Sequence, residues 1–184
     1  MTTFWETQMQ HQQTKAYYEK LTEIIRDYWH YFWIKKVKFE VLEIGLDVGI
    51  SAHCFLEFPN IKLTSIDCGD VDAGIREITE FDRDKRWTFH HMTSDIYFAQ
   101  CKKEFDIIYI DGDHSYMQTK KDLNNAWKFL KSGGLLIGHD FLHKENFTNN
   151  NNYGVTKAFT EFITEQNVRA TVYPPNPGLI TITK

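Results

Sequence analysis

The chain has 184 residues, 42% apolar and 25% charged, with a formal net charge of −4. That is enough for one domain with a hydrophobic core, and the scattered Lys and Arg give no basic field for nucleic acid. No apolar run is long enough to span a membrane, the polar start "MTTFWETQMQHQQ" lacks a signal-peptide core, and Cys54, Cys68 and Cys101 read as reduced thiols without metal-type spacing. The expectation is a soluble cytoplasmic protein with no membrane partner.

The first 38 residues stand apart as a helical, aromatic-rich segment. Tyr17, Leu21, Ile24, Ile25, Tyr28 and Phe32 trace an amphipathic helix, with Trp29, Tyr31 and Trp33 crowding its end. Such a stripe packs on the rest of the chain, covers a pocket, or pairs with a second copy as a homodimer surface.

From residue 39 to 184, strands and helices alternate. "FEVLEIG" (39–45) is a buried strand, and "ISAHCFLEF" (50–58) a helix stopped by Pro59. "IKLTSID" (61–67) is a strand, 71–82 a helix, "RWTFHHM" (86–92) a strand, 94–101 a short helix and "FDIIYID" (105–111) the clearest strand. Ser115 and Gln118 form a capping box for a helix with Tyr116, Leu123, Trp127 and Leu130 on its buried face, ended by Gly133-Gly134. "LLIGHD" (135–140) is the fifth strand, Val155 to Ile163 a helix, and "VRATVYP" with "GLITIT" an antiparallel closing hairpin. "NNNN" (149–152) reads as a loop.

This alternation predicts an α/β, Rossmann-like, mainly parallel seven-stranded sheet with helices on both faces. Ligands of such sheets lie at the carboxyl ends of the strands. That edge would collect Gly45, Asp67, Asp95, Asp111 and Asp140.

"EIGLDVGIS" (43–51) closes the first strand, with Gly45 and Gly49 letting a ligand approach the backbone. Asp67, at the tip of the second strand, suits ribose hydroxyls. The glycines are spaced G-x-x-x-G, not G-x-G-x-x-G, and Asp47 would set a carboxylate against a pyrophosphate. Like charges disfavour a nicotinamide dinucleotide there, whereas a sulfonium and an ammonium are welcome. S-adenosylmethionine is the expected cofactor.

At these residues the chain resembles class I S-adenosylmethionine-dependent methyltransferases, within them a small group carrying "DGDHSY…DL…W…L…GG…GHD". The pattern runs through Asp111 to Tyr116, Asp122-Leu123, Trp127, Leu130, Gly133-Gly134 and Gly138-His139-Asp140, and "YGVTKAFTEF" (153–162) extends it. The resemblance covers about residues 39–165. Asp47 stands where the family's E-x-G-x-G-x-G motif has its middle glycine. The resemblance implies that Glu43 and Gly45 contact the methionine portion, and that Asp67 takes the ribose. Asp95 with Ile96 would frame the adenine, although Asp95 also reads as a helix N-cap.

Asp111 and Asp140 should end adjacent strands, close enough to share a divalent ion, magnesium or manganese. The resemblance to metal-dependent O-methyltransferases implies an acid after the fourth strand and a pair after the fifth, here Asp111 and then His139-Asp140. His139 would shift preference away from magnesium. His114, three residues after Asp111, corresponds to the family's basic side chain and suits a general base; His143 is the reserve. The bland reading is that Asp113 and His114 only shape a turn. The expected activity is metal-assisted O-methylation of a small hydroxylated acceptor, such as a sugar or natural product. The alternatives are a nicotinamide-dependent oxidoreductase and a non-catalytic Rossmann-like binding domain.

Overall fold

The structure is a computed structural model, and it describes residues 12–33, 38–148, 153–174 and 178–184. The "NNNN" tract falls outside them. The elements run α1 (Gln12–Trp33), β1 (Phe39–Ile44), α2 (Ile50–Leu56), β2 (Ile61–Asp67), α3 (Asp72–Phe81), β3 (Trp87–His91) and α4 (Ser94–Gln100). Then come β4 (Phe105–Ile110), α5 (Tyr116–Phe129), β5 (Leu130–Gly138), a 3-10 turn (Lys144–Phe147), α6 (Val155–Gln166), β6 (Ala170–Tyr173) and β7 (Leu179–Thr183).

The seven strands are ordered β3-β2-β1-β4-β5-β7-β6. The first five are parallel, and β7 is antiparallel to both β5 and β6. The Rossmann-like expectation is met, including the closing hairpin. The order reverses between β1 and β4, so a crevice opens where their following loops part.

Alternation along the central strands sends side chains to two cores. Val41, Ile107, Tyr109 and Ile137 face α1, α2 and α3, where they meet Leu21, Ile24, Ile25, Phe55 and Ile78. Leu42, Ile108, Ile110 and Leu136 face α4, α5 and α6, against Phe98, Leu123, Ala126, Phe159 and Phe162. Both faces are covered, which is why these strands read as continuous apolar runs.

Three residues of the α1 stripe therefore pack within their own chain. Leu21 and Ile25 are fully buried and Ile24 nearly so, each contributing about 1.5–3 kcal/mol by removal from water. The side chains of Trp29, Tyr31, Phe32 and Trp33 lie outside the described residues.

Two local expectations are corrected. Only half of the capping box forms: Ser115 Oγ accepts from Gln118 N at 3.3 Å, but Ser115 N donates to Asp113 Oδ1 at 2.7 Å. The Gln118 amide turns instead to Ser94, Asp95 and Asp122. Nor do Gly133-Gly134 stop α5, which ends at Phe129. Leu130 pairs with Phe105 and opens β5, while Lys184 Nζ takes the carbonyls of Trp127 and Leu130 at 2.6 and 2.8 Å. A cation there satisfies carbonyls that the helix leaves free.

Candidate active site

Gly45 follows β1 with φ +94°, and a Cβ at that position would lie 2.0 Å from the Asp111 carbonyl oxygen. The β1 and β4 strand ends cross that closely, so only glycine fits. The close crossing brings Asp111 beside the loop after β1. A cleft of about 600 Å³ opens there, lined by Gly45, Asp67, Asp95, Asp111, His139 and Asp140 among others. A second hollow of about 250 Å³, walled by Thr14 and Tyr17 of α1, shares Gly45, Asp47, Asp111 and His139 with it.

On the cleft's first side, Asp67 holds the loops in place. Its Oδ2 accepts from Leu46 N at 2.8 Å and its Oδ1 from Gly69 N at 2.8 Å. Oδ2 also lies 3.4 Å from Asp47 N, so Oδ1 is the oxygen that keeps a lone pair for a ligand. Asp95 also lines the cleft, but it does not cap its helix. Thr93 is the N-cap of α4 and accepts from Ile96 N, while Asp95 sits in the first turn beside Lys121 Nζ at 3.1 Å. The lysine and Gln118 hold its carboxyl below the usual range. Asp122 is buried behind it, bonded to Ser94 Oγ at 2.6 Å, and burial pushes its pKa up to about 6.

Four other expected residues lie elsewhere. Glu43 is fully buried beneath the loop, its carboxyl oxygens accepting from the Ser51 and Ser65 hydroxyls. Burial, opposed by those two hydrogen bonds, raises its pKa to about 8. It braces β1 against β2 and α2 and presents no surface to the cleft. Gly49 caps α2 with φ +88° and faces Ile78, so its lack of a side chain serves helix packing. Ile96 is 56% exposed and outside the cleft lining. His143 caps the 3-10 turn and stacks on Tyr153, with ring centroids 4.9 Å apart.

The second side of the cleft gathers the acids and imidazoles. One potential ligand atom each from Asp111, His139 and Asp140 lies within 4.8 Å of the others. His139 Nδ1 is 3.1 Å from Asp111 Oδ1 and 3.1 Å from Asp140 Oδ1. His114 Nε2 is 3.4 Å from Asp111 Oδ1 and 3.0 Å from Asp140 Oδ2. Asp140 owes its orientation to a left-handed backbone, φ +58°, which Asp tolerates better than most residues.

Charge explains the titration of this cluster. Burial alone would raise the Asp111 and Asp140 pKa values, but the neighbouring imidazoles hold both carboxyls below the ordinary range. Burial would lower His114, yet hydrogen bonds to both carboxylates push it up to about 10. His139 is raised too, against its burial, by the Asp111 charge and hydrogen bond and by the Asp140 charge. This donor set fits a divalent cation: two carboxylates and an imidazole nitrogen converge, with little positive charge nearby except imidazolium protons.

Three tyrosines were missed by sequence reading. Tyr109 OH donates to Asp111 Oδ2 at 2.9 Å, and Tyr17 OH lies 2.6 Å from Tyr109 OH. Tyr153 OH donates to Asp140 Oδ2, and its ring stacks on His114 at 4.9 Å. The available signal was a phenol inside the apolar run "FDIIYID", since a buried hydroxyl needs a partner.

Comparison with known proteins agrees with this geometry. A family model described as "Methyltransferase domain" matches residues 42–141. The chain belongs to that family, and the class I S-adenosylmethionine-dependent methyltransferase resemblance is met. Over 105 residues, 56% of this chain, it is 30% identical to the malonyl-[acyl-carrier protein] O-methyltransferase 2 of Ilyobacter polytropus. The match takes in only 39% of that protein's length. A Staphylococcus aureus structure assigned as a caffeoyl-CoA O-methyltransferase superposes with a TM-score of 0.73 at 20% identity, covering 92% of this chain and 83% of that one. The O-methyltransferase of Bacillus cereus in complex with SAH gives 0.71 at 16% identity, covering 92% and 81%. At such identities the superpositions speak for the fold. Among the described residues, no helix is long and apolar enough to cross a membrane.

Proposed function

We propose that this methyltransferase transfers a methyl group from S-adenosylmethionine to a hydroxyl oxygen of a small acceptor, with a divalent cation at Asp111, His139 and Asp140. The observation that carries this reading is the convergence of those three side chains within 4.8 Å beside the cleft.

Asp67 would bind the ribose hydroxyls and Asp95 would border the adenine, as the family resemblance implies. Gly45 would leave room for the methionine end. When bound, the donor supplies a sulfonium methyl, and a cation lowers the pKa of the acceptor hydroxyl and shares the carboxylates' charge. His114 would take the hydroxyl proton at Nε2 as the new C–O bond forms and the donor's S–CH3 bond breaks, leaving S-adenosylhomocysteine. Facing only the two carboxylates, it keeps its own proton up to about pH 10. It serves as a base once their negative charge is compensated. Tyr153 stacks along His114 and bonds to Asp140, so it fixes the plane of the imidazole. His143 also stacks on Tyr153, 4.9 Å between centroids, and is better suited to orienting that ring than to proton transfer.

Calorimetric titration with S-adenosylhomocysteine, with and without Mn²⁺, tests the donor and cation assignments. Methyl transfer to a panel of phenols and sugars, with and without chelator, tests the acceptor. No binding of S-adenosylhomocysteine would refute the donor assignment. Transfer that persists undiminished in chelator would remove the cation from the reaction.

A further inference from the structure

We propose that Tyr109 and Tyr17 are positioning residues for the cation-holding carboxylate Asp111, which makes helix α1 part of the cation site. This rests on the reading that Asp111, His139 and Asp140 take a divalent cation.

Directionality follows from chemistry. An ionised carboxylate only accepts hydrogen bonds, so the Tyr109 hydroxyl proton is committed to Asp111 Oδ2, 2.9 Å away. The Tyr109 oxygen then accepts, and Tyr17 must donate across the 2.6 Å contact. The two phenols form a relay from α1 through β4 to the acid. Its effect is to engage Oδ2, so that Oδ1 is the oxygen turned toward His139 Nδ1 at 3.1 Å and His114 Nε2 at 3.4 Å.

Tyr17 also supports the second ligand. Its ring meets the His139 ring edge-on, with centroids 4.7 Å apart and planes at 64°. His139 Nε2 is buried with no hydrogen-bond partner among the described residues. Metal-binding histidines generally anchor that other nitrogen to an acceptor. Here the packing of Tyr17 substitutes for the anchor. Leu21, Ile24 and Ile25 fix the helix that carries Tyr17, and Tyr109 is fully buried, so neither phenol can drift from its place.

The test is the Mn²⁺ affinity of the full chain, measured by calorimetry on wild type, Tyr109→Phe, Tyr17→Phe and the double variant. Melting temperatures check that each is folded. Tyr109→Phe should bind Mn²⁺ about 10- to 100-fold more weakly, the usual loss when a ligand's supporting partner is removed. Tyr17→Phe, which keeps the ring on His139, should lose about threefold to tenfold, a fraction of that range. In the double variant the Tyr17 change should add nothing, since the relay is already cut. A purely structural role would lower the melting temperature and leave the affinity unchanged. Affinities within twofold of wild type for both single variants would overturn the proposal and leave the cation reading intact. Full additivity in the double variant would also overturn the relay. Absence of Mn²⁺ binding by wild type would overturn both.

Discussion

The two ends of the sheet handle charge in opposite ways. At the amino ends of the strands several charges have fixed partners. Asp106 Oδ2 accepts from Glu40 N and Lys131 Nζ, both at 2.8 Å, and Lys103 Nζ pairs with Glu40 at 3.0 Å. Arg86 donates to the carbonyls of Phe58, Ile61 and Leu56. At the carboxyl ends, Asp111 and Asp140 converge with two imidazoles between them, and Asp140 holds a left-handed backbone to do so. Satisfied charges stabilise a fold. Carboxylates paired with titratable imidazoles can exchange those partners for a ligand's charge.

That contrast can be broken from either end. His114→Gln should have the largest effect, lowering methyl-transfer kcat by about 10²- to 10⁴-fold, the range for loss of a general base. Donor affinity should change little, and steady-state kinetics beside calorimetry would separate the two. Gly45→Ala would drive a methyl group into the Asp111 carbonyl and should cost about 3 kcal/mol by chemical denaturation, the upper end for overpacking.

Glu43 sharpens the comparison through pH. Its folded pKa of about 8 lies above the 4.5 of an exposed glutamate, so its contribution to stability is full below about pH 4.5. The contribution is lost as pH rises through 8, with a slope of at most about 1.4 kcal/mol per unit. Glu43→Gln should flatten that fall in melting temperature between pH 5 and 8. At the opposite end, Asp106→Ala should cost about 2 kcal/mol because it strands a backbone N–H and Lys131. Its turnover should stay within twofold of wild type. The smallest effect is expected of Asp47→Gly, which relieves a left-handed residue at φ +46° and should add about 1 kcal/mol to stability.

The elements were legible because both sheet faces are buried: "FEVLEI" and "FDIIYI" had to be mostly apolar, with Glu40, Glu43 and Asp106 each given partners, and turns and caps marked their limits. The end of α5 was not, because Gly133-Gly134 looked like a stop. What decided it was Leu130 pairing with Phe105 and Lys184 reaching the last carbonyls, contacts from distant parts of the chain. The site divides the same way. Asp67, Asp95, Asp111, His139 and Asp140 could be placed at one edge from their positions after strands. Glu43 and Gly49 share that stretch of sequence but turn inward, to Ser51, Ser65 and Ile78.

By itself the sequence determined the alternating elements, the acidic carboxyl-end edge and the preference of "EIGLDVGIS" for a sulfonium over a pyrophosphate. Hydrophobic period and charge are local properties, so they can be read along the chain. Only the tertiary structure decided which carboxylates point at one another, that Tyr109 and Tyr153 bond to them, and that Leu21, Ile24 and Ile25 of α1 pack on the sheet. Those outcomes depend on side-chain direction across elements far apart in the chain, 92 positions between Tyr17 and Tyr109, and packing sets that direction.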